Sequence, residues 1–489
     1  MPSKEEGDAT VRAAAGAVST DETNINNNNS HDAIISVEDE DLILSHDDFE
    51  KLKSLDKAFE GDQLLEPTAK PLIQRVPSTL RIPKEFAAYF KPSVISIGPI
   101  HHGDPALSGS EQLKVRLAAH FVKNIEVEKE KLYNTIKREI GSLKKCYDPK
   151  VLEPFDDEKL AWMFFLDGCA ILQAILQADV KTTVCSKMNI KNDLLAFVSL
   201  DLFLLENQLP HDVLRLLTSS SSGKGRIFMD SIKRFIDYNV FTPAKMVQQQ
   251  PPPLQELQPE EREAVHILDH LRKRLIFKKQ NGGNLEKCNR TFTHMMRSCL
   301  DHGVLEKHYS YTVRKVKELR KAGIRLRPSV SSCLMDVSFS GVLTGTLRLT
   351  PIEVDDSTGP KFMNLIAYEM CPDFKNDSDV TTYICFLSSL IGNEEDVMEL
   401  RDAGILYNWL GNDEEVAKLF NKMSANLVPS GTIYSDVILR IQNHCRNVWI
   451  NFASQAYNLY HDNTFAFLGA IAALVLSSLQ TYYTMHPAK

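Results

Sequence analysis

The chain has 489 residues, 43% of them hydrophobic and 25% charged, and its net charge is −8, from 56 Lys and Arg against 64 Asp and Glu. These fractions are those of an ordinary globular protein, and they exclude a wholly disordered chain and a protein with many membrane spans. Residues 1–62 hold 16 acidic and 5 basic side chains, a net of −11, which leaves +3 for the rest. A body this close to neutral argues against nucleic-acid binding, which needs a strongly basic domain.

The first 70 residues divide into a polar leader and a short helix. Residues 1–45 are rich in Asn, Ser, Asp and Glu, too polar to bury enough surface to offset the entropy of ordering, so a disordered acidic leader is expected. No basic-then-apolar signal peptide opens the chain, and we expect a cytosolic body. Within residues 46–70, Phe49, Leu52 and Phe59 predict an amphipathic helix that docks on the body or on a partner.

Residues 71–460 carry the pattern of one large, mainly helical domain. The Pro- and Gly-rich residues 71–105 predict extended structure wrapped around a helical core. Residues 113–143 are amphipathic, whereas residues 160–176 and 194–217 are apolar enough to predict helices buried on several sides. Asp167 argues against a membrane span in the first of these, because an unpaired carboxylate in lipid is costly.

Two segments interrupt the helical pattern, and a third changes from helical to alternating hydrophobic spacing. Residues 218–225 and 248–253 are low-complexity segments, expected to interrupt the helices. Between residues 337 and 355 the pattern alternates with Gly and Pro as punctuation, which predicts a small antiparallel β-hairpin or meander. Helical spacing is found on both sides of it, at residues 265–277, 313–321, 383–390, 396–401, 414–423 and 433–460.

A short segment, Glu-Leu-Arg-x-Ala-Gly-Ile, occurs twice. In each copy the glycine, Gly323 or Gly404, is expected just past a helix end in a left-handed conformation. The following Ile324 or Ile405 would then fold back into the core. The flanks differ, so the segment predicts a helix stop used twice rather than a tandem repeat.

The nine cysteines have no CxxC spacing and are odd in number. This pattern predicts reduced, mostly buried thiols rather than a disulfide framework. They are Cys146, Cys169, Cys185, Cys288, Cys299, Cys333, Cys371, Cys385 and Cys445.

Residues 464–485 contain no charged side chain, and a helix of about 20 apolar residues crosses a bilayer core of roughly 30 Å. The segment therefore predicts a single C-terminal membrane anchor, with Tyr482 and Tyr483 at the aromatic interface and a buried core helix as the alternative. Gly469 and Ala473 lie on one face and would permit self-association in lipid. The anchoring side chains are expected to be Phe465, Phe467, Leu468, Ile471, Leu474, Val475, Leu476 and Leu479.

The motifs of common enzyme classes are missing from the sequence. There is no phosphate-binding loop, dinucleotide-binding glycine pattern, nucleophile elbow or zinc-protease motif. Asp167 near Cys169 does not indicate a nucleophile pair, because a carboxylate raises a thiol pKa. The sequence predicts no catalytic residue, cofactor or metal.

Two groups of histidines are candidate metal ligands. His101 and His102 are adjacent, and neighbouring side chains in an extended segment point apart, which suits two separate hydrogen bonds better than one metal. Glu263, His266 and His270 share a helix face at spacings that suit zinc or half of a di-iron site. Because no second ligand set matches them, a surface placement is expected instead.

Glu206, Asn207 and Gln208 follow an apolar helix and precede a proline. We interpret them as a structural break whose side chains cap backbone groups and tie loops together. The alternative is a polar pocket, shared with His101 and His102, in an enzyme of unrecognised type.

Several ordered segments carry a family resemblance. They are Val94-Ile-Ser-Ile-Gly-Pro-Ile-His-His-Gly103, Phe165-Leu-Asp-Gly-Cys169, Asp201-Leu-Phe-Leu-Leu-Glu-Asn-Gln-Leu-Pro210, Glu318-Leu-Arg-Lys-Ala-Gly-Ile324 and Asn364-Leu-Ile-Ala-Tyr-Glu369. Together they resemble the plant family called domain of unknown function 247, over about residues 72–483. The resemblance implies a mostly helical unit with a C-terminal membrane anchor and no established activity or cofactor. Some similar grass proteins are encoded at self-incompatibility loci, where a pollen recognition role is proposed.

The combined expectation is a mainly α protein with one small β-hairpin or meander and one C-terminal transmembrane helix. Its expected function is non-enzymatic recognition or signalling through protein partners at a membrane, with the plasma membrane favoured and pollen–stigma self-incompatibility as one setting. The partner is unknown. The alternative remains an enzyme with a pocket near His101, His102, Glu206 and Asn207.

Overall fold

The computed structural model describes residues 45–63, 71–81, 86–179, 188, 190–243, 264–277, 313–341, 345–374, 377–446 and 464–485. The chain divides into two units, Met1–Glu66 and Pro67–Lys489. The first unit contains one described helix, α1 (His46–Gln63), which confirms the predicted amphipathic helix. Its Phe49, Leu52 and Phe59 side chains are exposed. The predicted disordered leader lies outside the described residues.

The second unit is mainly helical. Its helices are α2 (Ser78–Arg81), α3 (Ser110–Ile125), α4 (Lys129–Arg138), α5 (Ile140–Lys144), α6 (Pro149–Leu152), α7 (Asp157–Ala178), α8 (Asn192–Asp201), α9 (His211–Ser219), α10 (Ser222–Tyr238), α11 (Ile267–Ile276), α12 (Val316–Lys321), α13 (Thr358–Glu369), α14 (Asp379–Leu390), α15 (Glu394–Asp402), α16 (Asp413–Met423), α17 (Ser435–Arg446) and α18 (Thr464–Met485). Short 3₁₀ helices occur at Ala87–Phe90 and Pro105–Leu107.

Helix α7 is the centre of the helical core. It begins after Asp156, whose side chain accepts a hydrogen bond from the Lys159 N–H at 2.8 Å and satisfies an otherwise unpaired donor of the first turn. Residues 160–176 present apolar side chains in every direction, so α3, α4, α8, α9 and α10 pack around the helix. Counting described side chains only, α7 is the one helix long and apolar enough to span a membrane, but 89% of its apolar window is buried. The prediction of a buried core helix is confirmed.

The predicted break at residues 218–225 is confirmed, but it is short. Helix α9 ends at Ser219 and α10 begins at Ser222, so two residues interrupt the helices. The first turn of α10 is polar, but packing of the buried apolar face that follows it stabilises the whole helix. This face includes Phe228 and Ile232. Gly225 allows the tight connection, since a Cβ there would collide with the Thr218 carbonyl oxygen. The break at residues 248–253 lies outside the described residues.

The strands form two small sheets. A three-stranded sheet has the order β1-β3-β2, with β1 at Ile324–Pro328, β2 at Ser338–Ser340 and β3 at Gly345–Leu349. The β2–β3 pair is antiparallel, which confirms the hairpin, but β1 pairs with β3 in parallel. Strand β4 (Ile352–Val354) pairs in parallel with the distant β5 (Leu406–Asn408). A local meander is therefore wrong, because alternation identifies strands but does not name their partners.

Both copies of the repeated segment end a helix as predicted. Gly323 and Gly404 have φ angles of 77° and 71°, which glycine adopts without strain. Ile324 and Ile405 are each 1% exposed and begin or precede the strands β1 and β5. The same local signal thus turns the chain from helix to strand twice.

The C-terminal helix α18 has exposed apolar side chains. Leu474 is 69% exposed and Leu476 is 66% exposed. A buried core helix would hide these groups, so the alternative prediction for residues 464–485 does not describe this helix. Its apolar stretch of described side chains, Leu468–Tyr482, is shorter than α7.

The described cysteines are free thiols, in agreement with the sequence prediction. They are Cys146, Cys169, Cys333, Cys371, Cys385 and Cys445.

Candidate functional site

The polar residues of the motifs converge on an extended segment, residues 93–98. Each of its six consecutive N–H groups donates to a side chain. The two carboxylate oxygens of Asp201 accept from the first three, at 2.8, 2.8 and 3.0 Å. Ser110 Oγ accepts from the fourth at 2.9 Å, Asn207 Oδ1 from the fifth at 2.7 Å and Asp167 Oδ2 from the sixth at 2.8 Å.

These acceptors come from different elements. Asp201 ends α8, Ser110 begins α3 and Asp167 lies in the middle of α7. A buried extended segment must satisfy its backbone groups, and here side chains replace a neighbouring strand. We call this arrangement, with Asn207, the backbone clamp. It holds the predicted wrapping segment against three helices at once.

The side-chain amides of Asn207 and Gln208 make their hydrogen bonds inside the protein. Asn207 Nδ2 donates to the Ile95 and Asp201 carbonyl oxygens at 3.0 and 2.9 Å. Gln208 Nε2 donates to two carbonyl oxygens of the preceding turn, both at 2.7 Å, and its Oε1 accepts from the Leu268 N–H at 3.1 Å. Because both amides are buried and saturated with backbone partners, the structural interpretation of this motif is the one the contacts support.

Glu206 lies at the outer end of the same motif. It accepts from the Val76 N–H at 2.8 Å and from Arg81, and its Oε2 lies 3.1 Å from His101 Nε2. Burial, followed by the charge of Arg75, lowers the pKa of His101 to about 4. The contact at neutral pH is therefore between a neutral imidazole and a carboxylate rather than an ion pair.

His102 turns away from this contact. Its Nδ1 lies 3.8 Å from Glu111, and its ring meets Phe155 edge-on at a centroid distance of 5.8 Å. The two adjacent histidines thus point apart toward different carboxylates, as predicted, but neither contact is one of the two hydrogen bonds expected from the sequence. Of the residues expected in a shared pocket, the fold brings together His101 and Glu206, while Asn207 is committed to the backbone.

Asp167 also holds a buried lysine. Lys114 Nζ lies 2.7 Å from Asp167 Oδ1 and 2.6 Å from Glu111 Oε1. Burial opposes the charge of Lys114, but attraction and hydrogen bonding to Asp167 and Glu111 outweigh it and raise the lysine pKa. Burial, with a further contribution from Asp167, raises the pKa of the Cys169 thiol, so this cysteine is not an activated nucleophile.

A second motif works in the same way as the clamp. Asn364 Oδ1 accepts from the Leu205 N–H at 2.8 Å, and its Nδ2 donates to the Tyr89 carbonyl oxygen at 2.7 Å. Glu369 accepts from two N–H groups in the first turn of α14, at 2.9 and 2.8 Å, and from Arg272 Nε at 2.8 Å. A carboxylate at a helix N-terminus meets unpaired donors and the positive end of the dipole.

The placement of His266 and His270 differs from the prediction. Both are buried, whereas a surface position was expected, and Glu263 lies outside the described residues. The α11 face that carries them packs inward, so His211 and Tyr368 lie next to their rings, at centroid distances of 6.0 and 4.8 Å. Burial lowers the pKa of His266 to about 4 and that of His270 to about 3. Within the described ranges, no group of three His, Cys, Asp or Glu is placed to hold a metal ion.

Sequence reasoning missed Ser110, Asn364 and the role of Asp201 in the clamp. The available signal was a carboxylate or amide inside or at the end of an otherwise apolar helix, since such a group must find a buried partner. That signal identifies the residue but not its distant backbone partner.

The fold and the site define a mainly helical protein whose motif side chains hold its own backbone in place. Residues 73–479 match the model of the family described as plant protein of unknown function, domain of unknown function 247, and the chain belongs to this family. No solved structure matches it.

Two proteins of Arabidopsis thaliana illustrate the similarity. The UPF0481 protein At3g47200 is 28% identical over 428 residues, which cover 82% of this chain and 84% of that protein. The putative UPF0481 protein At3g02645 is 29% identical over 175 residues, which cover 35% of this chain and 33% of that protein.

Proposed function

We propose that this chain is a non-enzymatic recognition or signalling protein, held at a membrane by α18 and acting through protein partners. The observation that carries the proposal is the exposure of apolar side chains on several sides of α18. Such a surface is unfavourable in water and favourable in lipid. The exposed side chains are Leu468, Ile471, Leu474, Val475, Leu476, Leu479, Tyr482 and Met485.

The directions of these side chains favour lipid over a protein groove. Leu474, Val475 and Leu476 are consecutive, so they point about 100° apart around the helix axis. A helix that docks in a groove needs only one apolar stripe, whereas a helix in lipid is apolar on all sides. At 22 residues, α18 is about 33 Å long, which matches the roughly 30 Å core of a bilayer.

The interaction part of the proposal is supported by α1. Phe49, Leu52, Leu55 and Phe59 follow one another at spacings of three or four and are all exposed. One apolar stripe on a polar helix is the pattern of a helix that binds in a groove. We propose that α1 binds a protein partner by this stripe.

The non-enzymatic part is supported by the way the motif residues are used. Asp201, Asn207 and Gln208 make their hydrogen bonds to backbone groups, and the buried Cys169 has a raised pKa. The contact between His101 and Glu206 is what favours the alternative, an enzyme with a polar pocket near His101, His102, Glu206 and Asn207. A catalytic dyad would also need access to substrate, and Glu206 is only 4% exposed.

The anchor is tested by expressing the full chain and a variant that lacks residues 464–489, then extracting membranes with alkaline carbonate. We expect the full chain to stay in the membrane and the deletion variant to be released. Leu474→Lys should release the full chain too, because a charge at the middle of a span costs about 3 kcal/mol. Thr484→Lys, near the helix end where lysine can reach the interface, is the matched control and should stay bound. Release of the full chain by carbonate would refute the anchor.

The partner role is tested with the anchored full chain by crosslinking. A partner recovered with the wild type should be lost with Phe49→Asp and Phe59→Asp combined, and retained with Lys53→Asp, which also changes charge on α1 but leaves the stripe intact.

For the setting in pollen–stigma recognition, we expect loss of the gene to change compatibility in self-crosses. Normal rejection of self pollen in such plants would contradict that setting.

A further inference from the structure

The outer face of the three-stranded sheet carries arginines and hydroxyl groups. In β1, Arg325 and Arg327 alternate with buried residues, and in β3, Arg348 does the same. Register places Arg327 directly beside Arg348. The remaining members of this face are the hydroxyl residues Ser338, Ser340 and Thr346. We call these six residues the arginine face.

The pairing of Arg327 with Arg348 is unfavourable within the chain. Cα atoms on neighbouring strands are about 5 Å apart, and like charges directly opposite one another destabilise a sheet. Within the described ranges, Arg327 makes no ion pair with a carboxylate and Arg348 donates only to Ser340 Oγ, at 3.2 Å. The nearby carboxylate of Asp336 accepts from Ser329 instead. Two cations held together with no anion among the described residues fit an external anion.

The other face of the sheet belongs to the core. Phe339 of β2 is buried and meets His444 of α17 edge-on at a centroid distance of 5.5 Å. Since successive strand residues point to opposite faces, Ser338 and Ser340 point away from α17. The arginine face is therefore on the outer surface of the sheet.

The chemistry of the face matches phosphate groups. A guanidinium binds phosphate oxygens through a planar pair of N–H donors, and serine and threonine hydroxyls add further donors. The exposed face of a short sheet offers these donors side by side, which suits several phosphates at a surface better than one phosphate in a deep pocket. Anionic lipid headgroups present such phosphates at a membrane surface.

Chain connectivity favours a membrane as the source of these phosphates. The helix packed behind the sheet, α17, is followed in sequence by residues 447–463 and then by α18, the proposed anchor. The sheet that carries the arginine face thus packs on the helix that leads to the anchor, and a basic surface beside the membrane adds an electrostatic attraction to the cytosolic leaflet, where anionic lipids are concentrated. We propose that the arginine face binds the anionic phosphate headgroups of the membrane in which α18 inserts, an inference that rests on the proposed anchor.

The test is flotation of the full chain, made by cell-free synthesis in the presence of liposomes. One arm uses phosphatidylcholine alone, and the other uses phosphatidylcholine with phosphatidylserine, both at low salt. We expect stronger flotation with the anionic liposomes. In R327Q/R348Q the partition onto anionic liposomes should fall on the order of 30-fold, since each arginine near such a surface contributes roughly 5-fold. Flotation with phosphatidylcholine alone should not change.

The matched control removes two positive charges from elsewhere. Arg226 and Arg440 are exposed and pair with aspartates on their own helices. R226Q/R440Q should float like the wild type with both kinds of liposome. An equal loss in this control would show that net charge alone matters, and unchanged flotation of R327Q/R348Q would show that the face is not used. Either result overturns the proposal.

Two further measurements distinguish free phosphate from lipid headgroups, and the anchor from the arginine face. Inorganic phosphate and sodium chloride at equal ionic strength should weaken the anionic increment equally. A selective loss in phosphate would identify free phosphate as the occupant and overturn the lipid assignment. Failure of the wild type to float with phosphatidylcholine alone would refute the anchor, whereas the difference between the two liposomes still reports on the arginine face.

Discussion

Lys114 Nζ lies 2.7 Å from Asp167 Oδ1, and the two side chains are 1% and 0% exposed. The pair joins α3 to α7, two helices that pack against each other in the core. A buried ion pair contributes little net stability compared with apolar residues, but removing one partner leaves a charge with nothing to offset its lost hydration. The pair therefore fixes how these helices meet, and its loss should be costly.

Lys114→Met should lower the free energy of unfolding by about 3 kcal/mol or more, because it leaves Asp167 unpaired. Combining it with Asp167→Asn should cost less than the sum of the two single changes, since the amide oxygen can still accept from the Gly98 N–H. Urea unfolding of the full chain in neutral detergent measures all three variants. Lys144→Met, which breaks an exposed pair with Asp157, should cost less than about 1 kcal/mol. Additive effects of the buried pair would contradict the coupling.

Gly98→Ala should destabilise the protein strongly. Its φ is 69°, and a Cβ there would lie 2.8 Å from the Gln208 carbonyl oxygen and 3.0 Å from the Tyr147 hydroxyl. Backbone strain alone costs about 1–2 kcal/mol, and the collision with backbone adds to it. Gly103→Ala is the control, because its φ is 79° and its Cβ would meet nothing within 4 Å. Equal melting temperatures of the two variants would show that the close approach at Gly98 is not a constraint.

Asp201→Asn should weaken the backbone clamp without changing its shape. The wild-type carboxylate accepts from three N–H groups, whereas the amide offers one oxygen and turns its own donors toward the rest. Each buried donor left without a partner costs about 1–3 kcal/mol. Hydrogen exchange at residues 93–95 should accelerate in this variant. Asp212→Asn, on the exposed face of α9, serves as the comparison, and faster exchange in both would argue against a specific clamp.

The buried histidines should make the protein sensitive to acid. Folding lowers the pKa of His266 to about 4 and of His270 to about 3, mainly by burial, from 6.5 in the unfolded chain. The unfolded state then binds more protons below pH 6.5, so stability is complete above that pH and is lost as the pH falls toward 4. The slope is at most about 1.4 kcal/mol per pH unit for each histidine.

The measurement is the free energy of unfolding between pH 7 and pH 5. His270→Leu should reduce the dependence of the unfolding free energy on pH by the contribution of one histidine, because leucine binds no proton. His46→Leu, at the exposed start of α1, is the matched control for replacing a histidine with leucine. An unchanged slope in His270→Leu would mean that this imidazole is accessible to protons in the folded protein.

The sequence by itself determined the helical class, the buried character of residues 160–176 and the two helix stops at Gly323 and Gly404. These features depend on neighbours in the chain: side-chain period, apolar content and the freedom of glycine to adopt a positive φ. The apolar character of residues 464–485 follows from the same local source, whereas the exposure of their side chains is a property of the tertiary structure.

Only the tertiary structure decided which distant groups meet. It paired β1 with β3 and β4 with β5, and it placed His266 and His270 in the core rather than at the expected surface. It also brought Asp201, Asn207 and Asp167 together as acceptors for the N–H groups of residues 93–98. A polar residue within an apolar segment indicates that its side chain has a buried hydrogen-bonding or charged partner. The identity of that partner depends on how helices pack in three dimensions, which the local pattern of residues does not encode.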